Sequence, residues 1–243
     1  MASQVIKDAK LYVGEYDLSG DHVSIALTYG SEPQDDTAMG DDTRSNAGGL
    51  KTVSFSGEGF WSGGDNAVDD AIFGKIGTAN VPMTIAPAGE TLANDAYLFR
   101  ATPDNYAPGA GVGEMFRFSV SANGSGGVGA VRGILAHVGS ETETGSETKQ
   151  ELGAVSASQS VYAALHVLTV SGTDPTLDVL VRSDANADAG GESTRLTFTQ
   201  ATAITSEWKS LAGAITDTFW DVSWTIGGTN TPTFEFVVSV GIL

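Results

Sequence analysis

The feature that most constrains this chain is a repeated alternation of apolar and polar residues, with glycine-rich links between the runs. Between His22 and Tyr29, the apolar residues Val23, Ile25 and Leu27 fall on one face, and small residues fall on the other. A period of two residues is that of a half-buried β-strand. Most of the 31 glycines lie between such runs, where turns belong. The pattern therefore predicts an all-β protein.

Similar runs predict strands along the whole chain. They lie at residues 9–13, 22–29, 50–60, 81–85, 95–101, 112–122, 128–138, 161–170, 177–182, 193–200, 218–226 and 233–242. The link 123–127 is short and rich in glycine, which predicts that it joins its two neighbouring strands as a hairpin. The link 227–230 is expected to join the last two strands. Alternate residues in 218–226 place two tryptophans on one face, as expected at the centre of a core. We expect a β-sandwich or barrel-like fold.

One segment breaks the alternation and predicts a single short flanking helix, from Asp65 to about Ile76. Val68, Ala71 and Ile72 recur at helical spacing within it, and aspartates early in the segment suit the helix dipole. The first two residues of the segment can cap it, and Gly77 is well placed to end it.

The length of 243 residues fits one large β domain. We predict a single sandwich domain spanning residues 1–243, and any internal boundary is expected near residues 140–152. That acidic segment, Ser140–Leu152, has no apolar period and is predicted to be a mobile loop or a boundary.

The charge and the composition exclude several classes of function. The chain carries 30 acidic and 12 basic residues, for a net charge of −18, and this disfavours nucleic-acid binding and anionic membranes. The charge serves solubility, or it repels a polyanion. Cysteine is absent, and no apolar run approaches the roughly 18 residues that a membrane helix needs. The N-terminal residues contain no apolar signal region, so we expect synthesis and folding in a cytoplasm, with no membrane partner.

A polar stretch before the strand 50–60 is the first candidate functional segment. The preceding strand is expected to end near Tyr29, which leaves roughly twenty residues without a helix signal, and a loop of that length is usually functional or disordered. Its candidate contact residues are Asp35, Asp36, Asp41, Asp42, Arg44 and Asn46.

No pattern in the sequence indicates catalysis. His22, His137 and His166 each stand alone within a strand pattern, and no zinc-binding spacing accompanies them. There is no nucleophile elbow, no dinucleotide fingerprint and no P-loop. We therefore expect no enzymatic activity.

The segment 183–192, SDANADAGGE, allows two interpretations. Its alternating oxygen donors, Asp184, Asn186, Asp188 and Glu192, resemble the first half of a calcium loop. The glycine lies one place later than in an EF-hand loop, and no helices flank the segment. The alternative is a hairpin loop rich in turn formers. We expect no cofactor, with calcium at this loop as the open alternative.

Several segments together resemble the major tail proteins, or tail tube proteins, of bacteriophages. The segments are Leu11–Gly14, Tyr16–Gly20, Asp36–Arg44, Gly49–Lys51, Gly57–Trp61, Gly111–Glu114, Phe116–Ala122, Val131–Gly133, Leu177–Val179, Arg182–Asp184 and Trp220–Ile242. The resemblance extends over most of the chain and is one of overall pattern.

The resemblance implies a structural virion protein. Tail tube proteins are β-sandwiches with a flanking helix that assemble into rings, commonly hexameric, and the rings stack around an acidic channel through which DNA passes without specific binding at ejection. A long loop reaches the neighbouring ring. The implied partners are other copies of the chain and other phage tail proteins. The implied location is the tail of the virion, after synthesis in the cytoplasm of the host bacterium.

On this basis we expect the polar segment 35–46 to contact neighbouring subunits, with Arg44 paired to an acid across the interface. The predicted hairpin 112–138, carrying Glu114, Arg117 and Arg132, is a candidate for the lining of the lumen. Two other classes stay open. The chain could be a capsid decoration or receptor-binding protein of a virion, or a carbohydrate-binding β-sandwich.

Overall fold

The computed structural model describes residues 7–188 and 190–243, and these form fourteen strands and one helix. The elements, in chain order, are β1 Lys10–Val13, β2 Tyr16–Asp17, β3 His22–Asp35, β4 Asn46–Phe60, α1 Val68–Phe73, β5 Val81–Ala86, β6 Asp95–Gly109, β7 Arg117–Gly124, β8 Val131–Glu141, β9 Gly145–Ser146, β10 Gln150–Glu151, β11 Ser160–Asp184, β12 Ser193–Thr197, β13 Thr205–Ala212 and β14 Phe219–Ile242. The predicted all-β class with one short helix is confirmed.

The chain forms two compact units. Of the described residues, the larger unit contains 7–20, Val81–Phe99 and 131–243, and the smaller contains Asp21–Asn80 and Arg100–Ala130. The segment 140–152, where we placed any internal boundary, lies wholly within the larger unit.

The larger unit is built on a ribbon of two long antiparallel strands, β11 and β14. They pair along their whole lengths, from Val161 opposite Ile242 to Asp184 opposite Phe219. Register shifts interrupt the ladder near its middle, where Gly172 and other residues have positive φ. β13 and β8 flank the first half of the ribbon, and β12, β9 and β10 flank the second.

This ribbon corrects one prediction. We expected 218–226 and 233–242 to be two separate strands joined by the link 227–230, but they are successive parts of β14 and both pair with β11. The link 227–230 bends the strand without reversing it, because glycine at positive φ, such as Gly228 at 122°, can form a bulge as well as a turn.

One apolar core joins both halves of the ribbon. Its members alternate along the strands, as a period of two requires. They include Val161, Ala163, Leu165, Val167, Leu177, Val179, Val181, Trp220, Val222, Trp224, Phe236, Val238 and Val240. The predicted tryptophan-rich core face is confirmed, because Trp220 and Trp224 are both buried. A second, smaller core of Tyr12, Ala86, Ala96, Leu135 and Val237 covers the opposite face of the first half.

The acidic segment 140–152 is ordered by the larger core rather than being a mobile loop. β9 and β10 pair with the first part of β14, between Phe219 and Trp224. The indole N–H of Trp224 donates to the Glu143 carbonyl at 2.9 Å, and that of Trp220 donates to the Gly153 carbonyl at 2.9 Å. Buried indole donors need such acceptors, and the backbone of this segment and of Gly153 directly after it supplies them.

The smaller unit holds β3, β4, α1, β7 and the second part of β6. β7 pairs with β4 on one side and with Ala101–Gly109 of β6 on the other. Val53, Phe55, Phe118 and Val120 are buried there.

In the part of the chain that the structure describes, no helix has the length and apolarity to cross a membrane.

The helix is shorter than predicted. It runs from Val68 to Phe73, with Ala67 at the N-cap and no side-chain cap, whereas we expected Asp65 or Asn66 to cap it. Val68, Ala71 and Ile72 are buried as predicted. Asn66 has φ of 62°, so the backbone turns there rather than continuing as helix.

Candidate self-assembly surface

The candidate loop 30–49 is mostly a β-hairpin arm. β3 and β4 continue to pair beyond Tyr29, through Gly30 opposite Thr52 to Asp35 opposite Asn46. Our expectation that the strand ends near Tyr29 was wrong, because a ribbon with both faces in water shows no apolar alternation. We use the term arm for residues 30–52.

The arm has no covering layer within its unit. The pairing of β4 with β7 begins at Ser54, so the arm itself is a two-stranded ribbon, and β3 pairs with β4 alone. Almost every arm residue is exposed, including the apolar Leu50 at 84% and Met39 at 107% of full exposure. A two-stranded hairpin is only marginally stable in water, and a bare edge strand invites pairing with another chain. The arm therefore has the properties of a contact element.

Hydrogen bonds within the tip fix its conformation. The Asp35 carboxylate accepts from the Thr37 amide at 3.0 Å, and the Asp41 carboxylate accepts from the Ala38 amide at 2.8 Å. The Asp36 amide donates to the Ser45 carbonyl at 3.2 Å. The hydrogen bonds from Thr37 lower the pKa of Asp35. These contacts turn two of the predicted acids inward on the tip backbone.

The other predicted tip residues are free to reach a partner. Asp42, Arg44 and Asn46 are exposed. Arg44 makes no ion pair with any described residue, whereas the other five arginines each contact a described group. Those contacts are Arg100 with the Gly126 carbonyl, Arg117 with the Phe60 ring, Arg132 with Asp95, Arg182 with Asp221 and Arg195 with Asp217. The structure thus brings the six predicted contact residues together at one tip.

The predicted hairpin 112–138 does not form. β7 and β8 do not pair with each other, because both pair with successive parts of the long strand β6. They also belong to different compact units. No apolar alternation in 102–109 indicates that β6 extends to Gly109 and separates them. That these residues line a lumen stays a prediction.

The three candidate lumen residues lie in different settings. Glu114 closes a turn, and its carboxylate accepts from the Gly111 amide at 3.2 Å. The Arg117 guanidinium lies 4.8 Å from the centre of the Phe60 ring. Arg132, 70% exposed, lies 3.4 Å from the carboxylate of Asp95. All three side chains are exposed.

The candidate calcium loop holds an internal cation. The ammonium of Lys149 contacts the carboxylates of Asp184 and Glu192, the latter at 3.0 Å, and the carbonyls of Asp188 and Gly190. The Lys149 side chain is only 5% exposed. The contact leaves no local pattern in the sequence, because Lys149 lies 35 residues before Asp184. Asn186 contributes its backbone N–H, which donates to the Asp184 carboxylate at 3.0 Å.

The pKa values of Asp184, Glu192 and Lys149 are all shifted in this cluster. The hydrogen bond from Lys149, followed by that from the Asn186 amide, lowers the pKa of Asp184. Backbone amides, then Lys149, lower the pKa of Glu192 to about 2. Burial alone would lower the pKa of Lys149, but its hydrogen bonds to the two carboxylates raise it. Among the described residues, no cluster of three or more His, Cys, Asp or Glu side chains is arranged to hold a metal ion.

Comparison with known proteins finds likeness in structure but not in sequence. No protein-family model matches the chain, and no curated protein matches it. A chain from the virion of a native gene transfer agent particle is similar with a TM-score of 0.43 and 13% identity, over 53% of this chain and 98% of that one. The SPP1 tail tube protein is similar with a TM-score of 0.40 and 16% identity, over 51% of this chain and 76% of that one. The SPP1 Dit protein, described as a hub of the adsorption apparatus, is similar with a TM-score of 0.39 and 10% identity, over 98% of this chain and 100% of that one.

Proposed function

We propose that this chain is a structural subunit of a phage-type tail tube. In this proposal copies close into rings, the rings stack, and the resulting channel passes DNA without binding it. The subunit has no enzymatic activity, its partners are its own copies and other tail proteins, and its location is the tail of the virion. The observation that carries the proposal is the arm, a ribbon with an unpaired edge that is exposed on both faces.

Two further properties support self-assembly around a polyanion. Ring closure gives an exposed strand edge a partner, which removes the tendency of that edge to aggregate. The net charge of −18 gives each subunit a surface that repels phosphate. DNA would therefore move through such a channel without adhering to its wall.

Electron microscopy of negatively stained protein, at low and high concentration, tests the proposal. We expect tubes or stacked rings with a central channel. The matched variant replaces residues 30–52 by an Asn-Gly turn between the paired residues Tyr29 and Val53, which removes the arm and leaves the β4–β7 ladder. This variant should keep its circular dichroism spectrum and lose the tubes.

The opposite outcomes are equally distinct. Monomers or trimers at every concentration would overturn the proposal and favour a decoration, receptor-binding or carbohydrate-binding protein. Tubes formed by the armless variant would show that the arm is not the contact element. Arg44→Glu should impair assembly while Arg44→Lys retains it, and intact assembly of Arg44→Glu would exclude an ion pair at this position.

The positions of Glu114, Arg117 and Arg132 in an assembled tube can be tested by labelling. Because the chain has no cysteine, a single Glu114→Cys, Arg117→Cys or Arg132→Cys substitution adds a unique thiol. A lumen-facing thiol should react with a small maleimide and be protected from one coupled to a large polymer. Equal reaction with both reagents would place that residue on the outer surface.

A further inference from the structure

The larger unit contains a cleft of about 260 Å³ with an unusual lining. The lining residues are Tyr12, Asp17, Glu90, Val138, Gly139, Leu168, Glu235 and Val237. Three of them are carboxylates, and three are aliphatic side chains. The cleft therefore combines negative charge with an apolar wall.

The cleft carries more negative charge than the described residues around it neutralise. Lys10 is the cation beside it, 2.6 Å from the Glu90 carboxylate and 3.7 Å from that of Asp17. Three carboxylates and one ammonium leave a formal charge of −2. Glu235 accepts a hydrogen bond from the Thr169 hydroxyl at 3.3 Å and has no cationic partner among the described residues.

A buried hydroxyl at the cleft also lacks a partner. Tyr12 is 1% exposed, and its ring stacks on His166 with 5.7 Å between the ring centres. Its hydroxyl oxygen has no hydrogen-bond partner among residues 7–188 and 190–243. Burial, and then the charges of Asp17, Glu90 and Glu235, raise the pKa of the phenol. The protonated hydroxyl therefore has both its donor and its acceptor unused beside three carboxylates, and its oxygen can accept a hydrogen bond from a bound cationic donor.

The shape of the site selects the kind of cation. Among the described residues no group of acids is arranged to hold a metal ion, so these carboxylates do not converge on one point. A guanidinium group is planar, spreads five N–H donors over its edge and is weakly hydrated. Its edge can donate to separated carboxylates and to the Tyr12 oxygen, while its face or an attached methylene packs on Val138, Leu168 and Val237.

We propose that this cleft is a binding site for a guanidinium group. The group could belong to a free small molecule or to an arginine of a second copy of the chain, and Arg44 is the arginine without a partner among the described residues. Binding of the free group does not depend on the proposed tail function, so the two can fail separately.

Isothermal titration calorimetry of the full chain with methylguanidinium tests the site. Methylurea, which has the same shape without the charge, is the control ligand. We expect saturable binding of methylguanidinium in the millimolar range and none of methylurea. Glu235→Gln should weaken binding roughly tenfold, as loss of a charge-assisted hydrogen bond implies. Tyr12→Phe should also weaken it, whereas the exposed Glu143→Gln, outside the cleft lining, should not.

Absence of saturable binding, or equal binding of methylurea, would overturn the proposal. So would unchanged binding in both Glu235→Gln and Tyr12→Phe. Where binding is found, assembly identifies the source of the group. An arginine from a second copy predicts that Glu235→Gln and added methylguanidinium both inhibit assembly, and a free ligand predicts that neither does.

Discussion

His166 shows how strongly one residue can be determined by its surroundings. It is fully buried, its Nδ1–H donates to the Gly14 carbonyl at 2.6 Å, and its Nε2 accepts from the Thr84 hydroxyl at 2.8 Å. Burial lowers its pKa to about 4. The alternation in the sequence places it in a strand, but only packing shows that it is a neutral core residue.

We predict that the stability of the protein falls as the pH drops from about 6.5 to about 4. The unfolded chain protonates His166 near pH 6.5, whereas the folded chain does so only near pH 4. The contribution of neutral His166 to the free energy of unfolding, about 3 kcal/mol, is therefore complete above pH 6.5 and is lost as the pH falls to about 4. Urea unfolding across the range measures this. His166→Gln should be less stable at pH 7 and lose part of the pH dependence, and an unchanged profile would contradict the assignment.

A second residue-scale prediction concerns Lys149. Lys149→Met removes the cation that Asp184 and Glu192 share, and it leaves two carboxylates together without compensation. We expect the midpoint of thermal unfolding to fall by several degrees at pH 7, and by less at pH 3, where Asp184 becomes protonated more readily without Lys149. Lys209→Met, at the less buried ion pair between Lys209 and Glu207 of β13, is the control.

The same variants address calcium at the loop. In the wild-type chain a calcium ion would have to displace the Lys149 ammonium from the oxygens of Asp184 and Glu192. Calorimetric titration of the wild-type protein and of Lys149→Met with calcium decides this. Binding by the variant alone would show that the ammonium occupies the cation position, and binding by the wild-type protein would establish the calcium alternative.

At the scale of elements, the long strands depend on close backbone approach. Gly133 of β8 lies opposite Gly241 of β14, and a Cβ atom on Gly133 would lie 2.0 Å from the Val240 carbonyl oxygen. Such a distance to a backbone atom forces the two strands apart. Glycine at this position thus permits the ladder that joins β8 to the ribbon.

We predict that Gly133→Ala destabilises the protein by about 1–3 kcal/mol through this overpacking. Gly20→Ala is the matched control, because Gly20 has no neighbouring atom within 4 Å of the added carbon and its φ is not positive. Chemical denaturation of both variants measures the difference. Equal stability would show that β8 can shift away from β14 without cost.

At the scale of the whole molecule, the net charge of −18 opposes association of identical subunits. We predict that self-assembly is promoted by salt. The screening length falls from about 30 Å at 0.01 M to about 3 Å at 1 M ionic strength, so repulsion between subunits weakens across this range. Light scattering at a fixed protein concentration measures it. Assembly that weakens with salt would show that specific ion pairs dominate the contact.

The sequence by itself determined the local structure wherever one face of an element is buried. Alternation in 22–29 and 218–226, and the helical spacing of Val68, Ala71 and Ile72, each gave the correct element. Burial of one face leaves a period in the sequence, and that period is visible without knowledge of the partner. The turn-forming tip around Asp35 and Asn46 was located for a related reason, because its polar residues interrupt the pattern.

Only the tertiary structure decided which strands pair. β7 and β8 are adjacent in sequence but both pair with β6, and the links 172–175 and 227–230 bend one ribbon where the sequence is equally compatible with hairpins. Strand pairing depends on contacts between residues far apart in the chain, and a glycine-rich link serves a bulge and a reversal equally well. For the same reason, contacts such as Lys149 with Asp184, and the cleft around Tyr12, left no local signal in the sequence.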